Sequence, residues 1–165
     1  MMGRRKLLLL AGGAAAVAVG YGTTRRHAVS ASTGAFEVTH SDEEWRSILT
    51  HDQYAVLREA ATEPAFTSPL LHEERQGNFA CAGCDLDLFS SKTKFDSGTG
   101  WPSFWAPLDK AVGTTEDTSF FMTRTEVHCS RCGGHQGHVF DDGPAPTGLR
   151  YCINGLALTF KPAAA

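Results

Sequence analysis

Cys81-Ala82-Gly83-Cys84 and Cys129-Ser130-Arg131-Cys132 are two stretches with the same cysteine spacing, and 44 residues separate them in a chain of 165. Each places two thiols on one side of a tight turn, and two such turns can complete a tetrahedral zinc site. Gly83 and the pair Gly133-Gly134 suit the close backbone turning that such knuckles need. We expect one structural zinc ion on these four cysteines, joining the two halves of a small domain.

The same four cysteines have a second interpretation, as two disulfides, which exported proteins do form. Paired cysteines with two residues between them are the usual pattern of a closed structural zinc site. Zinc is therefore the favoured ligand, and in either case the four residues have a structural role.

The fifth cysteine, Cys152, lies in Gly148-Leu149-Arg150-Tyr151-Cys152-Ile153-Asn154-Gly155. If this stretch is a strand, Arg150, Cys152 and Asn154 share one face, because side chains alternate along a strand. An unpaired thiol is either a small buried apolar group or a reactive one. Arg150 favours the thiolate, and the nearby His135 and His138 can supply protons, so we interpret Cys152 as a nucleophile.

The remaining pattern predicts a mainly β fold with short N-terminal helices. Ser41 and Thr50 each begin a capping box, which predicts two helices packed through Trp45, Ile48, Tyr54 and Leu57. From Gly77 onward the chain alternates short β-like runs with turn residues, which is typical of an antiparallel β domain. The predicted strands are centred on residues 78–80, 86–89, 92–95, 119–123, 125–128, 138–140, 149–154 and 156–160.

Residues 1–30 are interpreted as an export signal, followed by a polar linker over 31–39. A basic start at Arg4-Arg5-Lys6 precedes an apolar run over 7–20, and Ala28-Val29-Ser30 offers a cleavage site. The paired arginines resemble a twin-arginine signal, with Sec export as the alternative. We expect an exported, periplasmic protein; an uncleaved leader that anchors it in the membrane is the other possibility.

Charge excludes one class of partner. The chain has 15 Lys and Arg against 18 Asp and Glu, and the leader holds five of the basic residues and no acidic one. The rest therefore carries a net charge of −8 and shows no basic patch. We expect no nucleic-acid partner, and we expect a monomer.

Several long motifs together resemble the methionine sulfoxide reductase B family. They are the two cysteine pairs, Lys94 to Phe104 (KFDSGTGWPSF), Cys129 to Pro144 (CSRCGGHQGHVFDDGP) and Gly148 to Gly155 (GLRYCING). The resemblance spans roughly residues 40–162. It implies a fold of two antiparallel sheets with small N-terminal helices, and reduction of the R epimer of methionine sulfoxide, mostly within proteins and more weakly in the free amino acid.

The resemblance also implies roles for individual residues. Cys152 would attack the sulfoxide sulfur and become a sulfenic acid. His135 and His138 would supply the protons with which the oxygen finally leaves as water, and Asn154 would help to orient them and the substrate. Trp101 would face the methyl group of the substrate. Arg150 and Asp142 would form a pair that sets the electrostatics of the substrate site.

The chain departs from the family pattern at Thr99. Many family members carry a second, resolving cysteine at this position of the loop. Because the knuckle cysteines are expected to hold zinc, Cys152 would have no partner in its own chain. We therefore expect the sulfenic acid to be reduced directly by a thioredoxin-like protein or a small thiol.

Two other classes of protein share part of this pattern. A zinc-binding module without chemistry would explain the knuckles, but it leaves Cys152 and the Trp101 loop unexplained. A thiol-based oxidant sensor would use Cys152 but needs no substrate pocket. Reduction of R-methionine sulfoxide that Cys152→Ser abolishes would support the enzyme, and absence of that activity in the parent chain would refute it.

Overall fold

The computed structural model describes residues 36–119 and 122–164. The predicted leader, and most of the linker after it, therefore lie outside the described residues. Within the described part, neither helix is long and apolar enough to cross a membrane.

Two short helices open the domain, and each begins at a capping box. Helix α1 spans Asp42–Ile48 and α2 spans His51–Glu59. Ser41 caps α1 and Thr50 caps α2, and in both the side chain at the third helical position bonds back to the cap residue. Both predicted helix starts are thus confirmed.

The strands form two antiparallel sheets, as predicted. The smaller sheet has the order β2-β1-β9 and the larger the order β3-β4-β8-β7-β6-β5. The strands are β1 Gly77–Cys81, β2 Asp87–Ser90, β3 Lys94–Phe95, β4 Ser103–Phe104, β5 Val112–Asp117, β6 Arg124–Cys129, β7 His135–Phe140, β8 Arg150–Ile153 and β9 Leu158–Pro162.

The core lies between the sheets and α2. Its largest fully buried side chains are three phenylalanines with Leu88 and Ile153: Phe79, Phe89 and Phe104. Phe89 stacks on Phe104, with ring centroids 4.4 Å apart, and Phe79 meets Phe104 edge-on. Because Phe104 follows Ser103 in β4, this packing fixes the short strand that lies beside β8.

Two local predictions need correction. Ile48 is 55% exposed, and Leu49, the residue at the end of α1, is buried in its place. A helix of seven residues has too few turns for spacing alone to choose between neighbours. In the predicted strand over 119–123, the described residues belong to no strand; the strand lies before it, over Val112–Asp117.

Candidate active site

The four knuckle cysteines meet where the two sheets approach each other. Cys81 ends β1 in the smaller sheet and Cys129 ends β6 in the larger one, while Cys84 and Cys132 lie in the turns that follow. All four sulfur atoms lie within 4.8 Å of one another. The cluster therefore connects the two sheets, as the spacing predicts.

The two knuckles have the same backbone geometry. In the first, the N–H of Asp85 donates to the carbonyl of Cys81 at 2.8 Å; in the second, the N–H of Gly133 donates to Cys129 at 2.9 Å. Asp85 and Gly133 follow the second cysteine of each pair, and both have left-handed backbones, with φ of 61° and 68°. The residue after each pair, rather than Gly83, thus supplies the special conformation.

The cluster fits a metal ion better than disulfides. All five cysteines are free, and the nearest sulfur pairs are Cys84–Cys129 at 3.5 Å and Cys81–Cys132 at 3.7 Å. A disulfide needs about 2.05 Å. Four thiolates placed tetrahedrally about 2.3 Å from a metal lie about 3.8 Å apart, close to both distances. These residues can therefore hold one metal ion.

Gln136 is bonded both to the four-cysteine cluster, at Cys81, and to Asn154, two residues after Cys152. Its side chain is fully buried, and Nε2 donates to Cys81 Sγ at 3.6 Å and to the Gly134 carbonyl at 3.2 Å. The main-chain carbonyl of Gln136 accepts the side-chain N–H of Asn154 at 3.1 Å and the backbone N–H of Asn154 at 2.8 Å. Donors to metal-bound sulfur orient such ligands. One residue of β7 thus lies between the metal ligands and β8.

Cys152 lies on β8 between two neighbouring strands. Its cross-strand partners are His138 on β7 and Ser103 on β4, so the three side chains share one face of the sheet. The thiol is partly exposed. Burial raises its pKa, while a hydrogen bond from Thr99 and the positive charge of Arg150 act in the opposite direction.

Each predicted histidine is held by a carboxylate that the sequence analysis did not single out. His135 Nδ1 lies 2.7 Å from Glu126 Oε1, and His138 Nε2 lies 2.8 Å from Asp117 Oδ2. An ionised carboxylate only accepts hydrogen bonds, so Nδ1 of His135 and Nε2 of His138 each carry a hydrogen. The ring nitrogen that does not face the carboxylate is Nε2 in His135 and Nδ1 in His138. Among the described residues, Nε2 of His135 is buried without a partner.

The Asp117 carboxylate is itself strongly held. Burial raises its pKa, but hydrogen bonds from Ser119, His138 and Arg124 outweigh that effect and hold the pKa well below its ordinary value. The Arg124 guanidinium lies 2.7 Å from Asp117. Burial lowers the pKa of His138, with Asp117 opposing it. The imidazole of His138 is therefore mainly neutral near pH 7 until a negative group approaches.

Arg150 and Asp142 form the predicted pair. Nε and one terminal nitrogen of Arg150 donate to the two carboxylate oxygens of Asp142 at 2.8 and 2.7 Å, a bidentate arrangement. This pair raises the pKa of Arg150 and lowers that of Asp142. The guanidinium also lies over the Phe140 ring, 4.4 Å from its centre, which fixes the cation beside Cys152.

Glu63, which no sequence motif marks, anchors the other side of the site. It is 4% exposed. Its carboxylate accepts the backbone N–H of Gly155 at 2.5 Å and of Leu156 at 3.0 Å, at the start of the 3-10 turn after β8. Here the carboxylate satisfies N–H groups that the turn leaves unpaired.

The main chain of Glu63 binds two of the predicted site residues. Its N–H donates to Asn154 Oδ1 at 3.0 Å, and its carbonyl accepts Trp101 Nε1–H at 3.0 Å. The side chain of Asn154 is therefore buried and bonded to backbone at both ends. The predicted contact of Asn154 with substrate stays a prediction; its observed contacts position the turn that follows Cys152.

No sequence signal pointed to Glu63, Asp117 or Glu126. Glu63 lies 91 and 92 residues from the partners it binds in the Asn154-Gly155 turn. Asp117 and Glu126 pair with histidines across strands whose register the sequence does not state. An isolated acidic residue is most often solvent-exposed, so only the fold distinguishes these three from the other carboxylates.

Comparison with known proteins places the chain in a family. Residues 49–162 match the model described as the SelR domain. Three proteins named peptide methionine sulfoxide reductase MsrB are similar. The one from Methanosarcina barkeri is 56% identical over 125 residues, 75% of this chain and 88% of that protein. The one from Leptospira interrogans is 54% identical over 127 residues, 76% and 97% of the two chains.

The third, from Pseudomonas putida, is 58% identical over 121 residues, covering 73% of this chain and 91% of that protein. Fold, cysteine cluster and free thiol together define a thiol-containing β domain with four cysteines placed to hold a metal ion. The chain belongs to the MsrB family of methionine sulfoxide reductases. The resemblance inferred from the sequence motifs is thereby confirmed.

Proposed function

We propose that this chain is an oxidoreductase that reduces the R epimer of methionine sulfoxide, mainly in proteins and more weakly as the free amino acid. The observation that carries the proposal is the position of Cys152. Among the described residues it is the one cysteine outside the metal cluster, and it shares a sheet face with His138 beside a fixed Arg150. This is the arrangement of an activated nucleophile with a proton donor.

The first half of the reaction transfers oxygen between sulfur atoms. The Cys152 thiolate attacks the sulfoxide sulfur while a proton from His138 or His135 goes to the sulfoxide oxygen. The S–O bond of the substrate then breaks, methionine is released, and Cys152 holds the oxygen as a sulfenic acid. Trp101, with its indole N–H held by Glu63, provides an apolar wall for the substrate methyl group.

The second half needs an external reductant. The partner we propose is a thioredoxin-like dithiol or two molecules of a small thiol; their two sulfur atoms are oxidised to a disulfide while the sulfenic oxygen leaves as water and Cys152 returns to the thiol. The hydroxyl oxygen of Thr99 lies 3.7 Å from the Cys152 sulfur. A hydroxyl cannot form the disulfide that a cysteine at this position would form.

We propose zinc as the metal of the four-cysteine site, because a closed set of four thiolates is the usual structural zinc site. The ion stabilises the junction of the two sheets and takes no part in the reaction. Elemental analysis of the purified protein tests this proposal; a protein that folds fully with no bound metal contradicts it.

We also propose that the first 30 residues direct export to the periplasm through a twin-arginine-like route, and that the mature protein is monomeric. Support comes from the basic and apolar pattern of the leader. Arg4→Lys with Arg5→Lys should retain the protein in the cytoplasm. Export that is unaffected by this change would favour the Sec route, and an uncleaved N-terminus would favour anchoring.

The function is tested with dabsylated R- and S-methionine sulfoxide and dithiothreitol as donor. We expect turnover of the R epimer alone, and we expect Cys152→Ser to lower it at least about 10⁴-fold. Thr159→Val, in an exposed position of β9, is the control that should leave it unchanged. Absence of R-epimer turnover in the zinc-loaded parent protein would refute the proposal.

Mass spectrometry separates the two recycling routes. Parent enzyme treated with R-sulfoxide and no reductant should gain one oxygen atom on Cys152. Thr99→Cys restores a cysteine beside Cys152 and should instead lose two hydrogen atoms as a disulfide forms. A disulfide between Cys152 and any knuckle cysteine in the parent enzyme would refute direct reduction.

A further inference from the structure

Three hydroxyl groups form a continuous chain that ends at the Cys152 sulfur. Thr99 Oγ1 lies 3.7 Å from Cys152 Sγ, Ser97 Oγ lies 2.8 Å from Thr99 Oγ1, and Ser103 Oγ lies 2.7 Å from Ser97 Oγ. Ser103 Oγ also lies 3.1 Å from the carbonyl oxygen of Trp101. Ser103 is fully buried and is the cross-strand partner of Cys152, so the chain is part of the domain interior.

Counting hydrogens shows that the chain has two directions. Each hydroxyl has one hydrogen to donate. With a neutral thiol, Cys152 donates to Thr99, Thr99 to Ser97, Ser97 to Ser103, and Ser103 to the Trp101 carbonyl. With a thiolate, the sulfur only accepts, so all three hydroxyls rotate and donate towards it. Both directions use the same heavy-atom positions.

We propose that Thr99, supported by Ser97 and Ser103, is a catalytic residue that donates a hydrogen bond to the Cys152 thiolate through this chain. The thiol hydrogen leaves to solvent, and the chain reverses without movement of the backbone. Hydrogen bonds in such a chain strengthen one another, because each donor is polarised by the next. The loop that carries Thr99 thus stabilises the nucleophile in place of supplying a resolving thiol.

The other groups around Cys152 contribute less than this donor. Arg150, two residues away on β8, lowers the pKa of Cys152 through its charge and a side-chain hydrogen bond, but Nε and one terminal nitrogen donate to Asp142, whose negative charge raises that pKa. His138, across on β7, is occupied at Nε2 by Asp117. The facing strand β4 contributes only the hydroxyl of Ser103. Among the effects that lower the pKa of Cys152, the Thr99 bond is the largest.

The test measures the thiolate directly, so it needs no sulfoxide turnover. Zinc-loaded protein is titrated by its thiolate absorbance near 240 nm, with Cys152→Ser subtracted to remove the knuckle thiolates. Thr99→Val keeps the shape of the side chain and removes the hydroxyl. We expect it to decrease the thiolate:thiol ratio of Cys152 about tenfold at a given pH, the effect of losing one hydrogen bond to a charged group.

Iodoacetamide gives a second, kinetic signature. A more basic thiolate is less abundant but more nucleophilic: the logarithm of its rate constant rises by about 0.4–0.5 for each unit of pKa. Thr99→Val should therefore react about threefold more slowly than the parent near pH 7, and about threefold faster at high pH where both are ionised. A merely structural defect would not produce this crossing of the two pH profiles.

Matched variants separate the chain from the single contact. Thr99→Ser keeps the hydroxyl and should restore the parent titration. Ser97→Ala removes the second member alone and should raise the pKa of Cys152 by less than Thr99→Val does. Thr159→Val should have no effect. A Thr99→Val protein that folds and titrates like the parent would overturn the proposal. The same conclusion would follow if Thr99→Val, Thr99→Ser and Ser97→Ala all titrated alike. The titration and the alkylation do not measure sulfoxide reduction. Failure of the proposed function would therefore leave this test of Thr99 unchanged, and the two failures can be told apart.

Discussion

The metal cluster and the thiol site lie on the same two-sheet frame, but they are built in opposite ways. Each knuckle is completed within five residues, Cys81 to Asp85 and Cys129 to Gly133, by one backbone hydrogen bond and one left-handed residue. The thiol site gathers Glu63, Thr99, Asp117 and Arg150 from four distant parts of the chain. The two knuckles repeat one local backbone geometry, whereas the thiol site depends on hydrogen bonds between residues that are far apart in the chain.

This difference teaches where a change should be felt. Loss of a knuckle residue removes a clip between two sheets, which affects the whole domain. Loss of a residue that holds the thiol site removes one contact and leaves the frame in place. A change at a knuckle should therefore lower stability most, whereas a change at the thiol site should lower activity more than stability.

The largest effect is expected from loss of the metal. Cys81→Ser, or prolonged treatment of the parent with a strong chelator, should unfold the domain. The reason is that four-thiolate zinc sites contribute about 10 kcal/mol or more of apparent free energy, while a whole domain is stable by only about 5–15 kcal/mol. Circular dichroism melting curves measure the change.

Cys152→Ser serves as the matched control, since it removes a thiol outside the cluster and should melt within about 2 °C of the parent. If Cys81→Ser without bound metal also melted within that range, the cluster would not be the clip described here. The contrast between the two sites would then be lost.

An intermediate effect is expected at Glu63, which contributes to both stability and the thiol site. Glu63→Ala leaves the backbone N–H groups of Gly155 and Leu156 buried without acceptors. The free energy of unfolding should fall by about 2–6 kcal/mol, at about 1–3 kcal/mol for each of the two unpaired groups. Because the turn after Cys152 loses the carboxylate that holds it, kcat/KM should fall about tenfold.

Glu63→Gln retains one accepting oxygen and should lie between Ala and the parent in both measurements, taken by urea denaturation and by steady-state kinetics. Glu43→Gln, on the exposed face of α1, is the control. A Glu63→Ala enzyme that is destabilised but has unchanged kcat/KM would show that Glu63 supports the frame alone.

The smallest effect concerns pH and sharpens the description of the thiol site. Burial lowers the pKa of His138 and raises that of Cys152. If the reaction needs the thiolate and the protonated imidazole together, that form is scarce at every pH but most abundant between the two pKa values. kcat/KM should therefore rise with pH through the His138 pKa, below 6.5, and fall through the Cys152 pKa, above 9.0.

The measurement is a profile of kcat/KM from about pH 5 to pH 10.5 with R-sulfoxide under the same ionic strength. His138→Asn should abolish the alkaline fall, because no imidazole proton is then required. A parent profile that rises to a plateau above the Cys152 pKa would show that the proton comes from another group.

The sequence predicted those parts of the molecule that depend on neighbours in the chain. Both capping boxes, both knuckles and the isolation of Cys152 are visible in a few consecutive residues, and the structure has them as expected. Strand β5 escaped prediction because its Gly113, threonines and acidic residues lack the apolar alternation of a strand.

What the sequence could not predict depends on register and long-range closure. Asp117 binds His138 because β5, β6 and β7 pair in one particular alignment. Glu63 binds the turn after β8 because the segment after α2 returns to it. A family resemblance carried the histidines and Trp101 into the predicted site, but it did not supply the acidic residues that hold them.

The span of the Glu63 contacts also has a consequence for the order of folding. The turn of each knuckle can form as soon as its five residues are free to fold, whereas the Glu63 bonds close a loop of more than 90 residues. The alignment of Trp101 and Asn154 around Cys152 must then be among the last events of maturation. A chain whose four cysteines have come together is not yet an enzyme, and its thiol becomes competent only when the first and last parts of the domain have met.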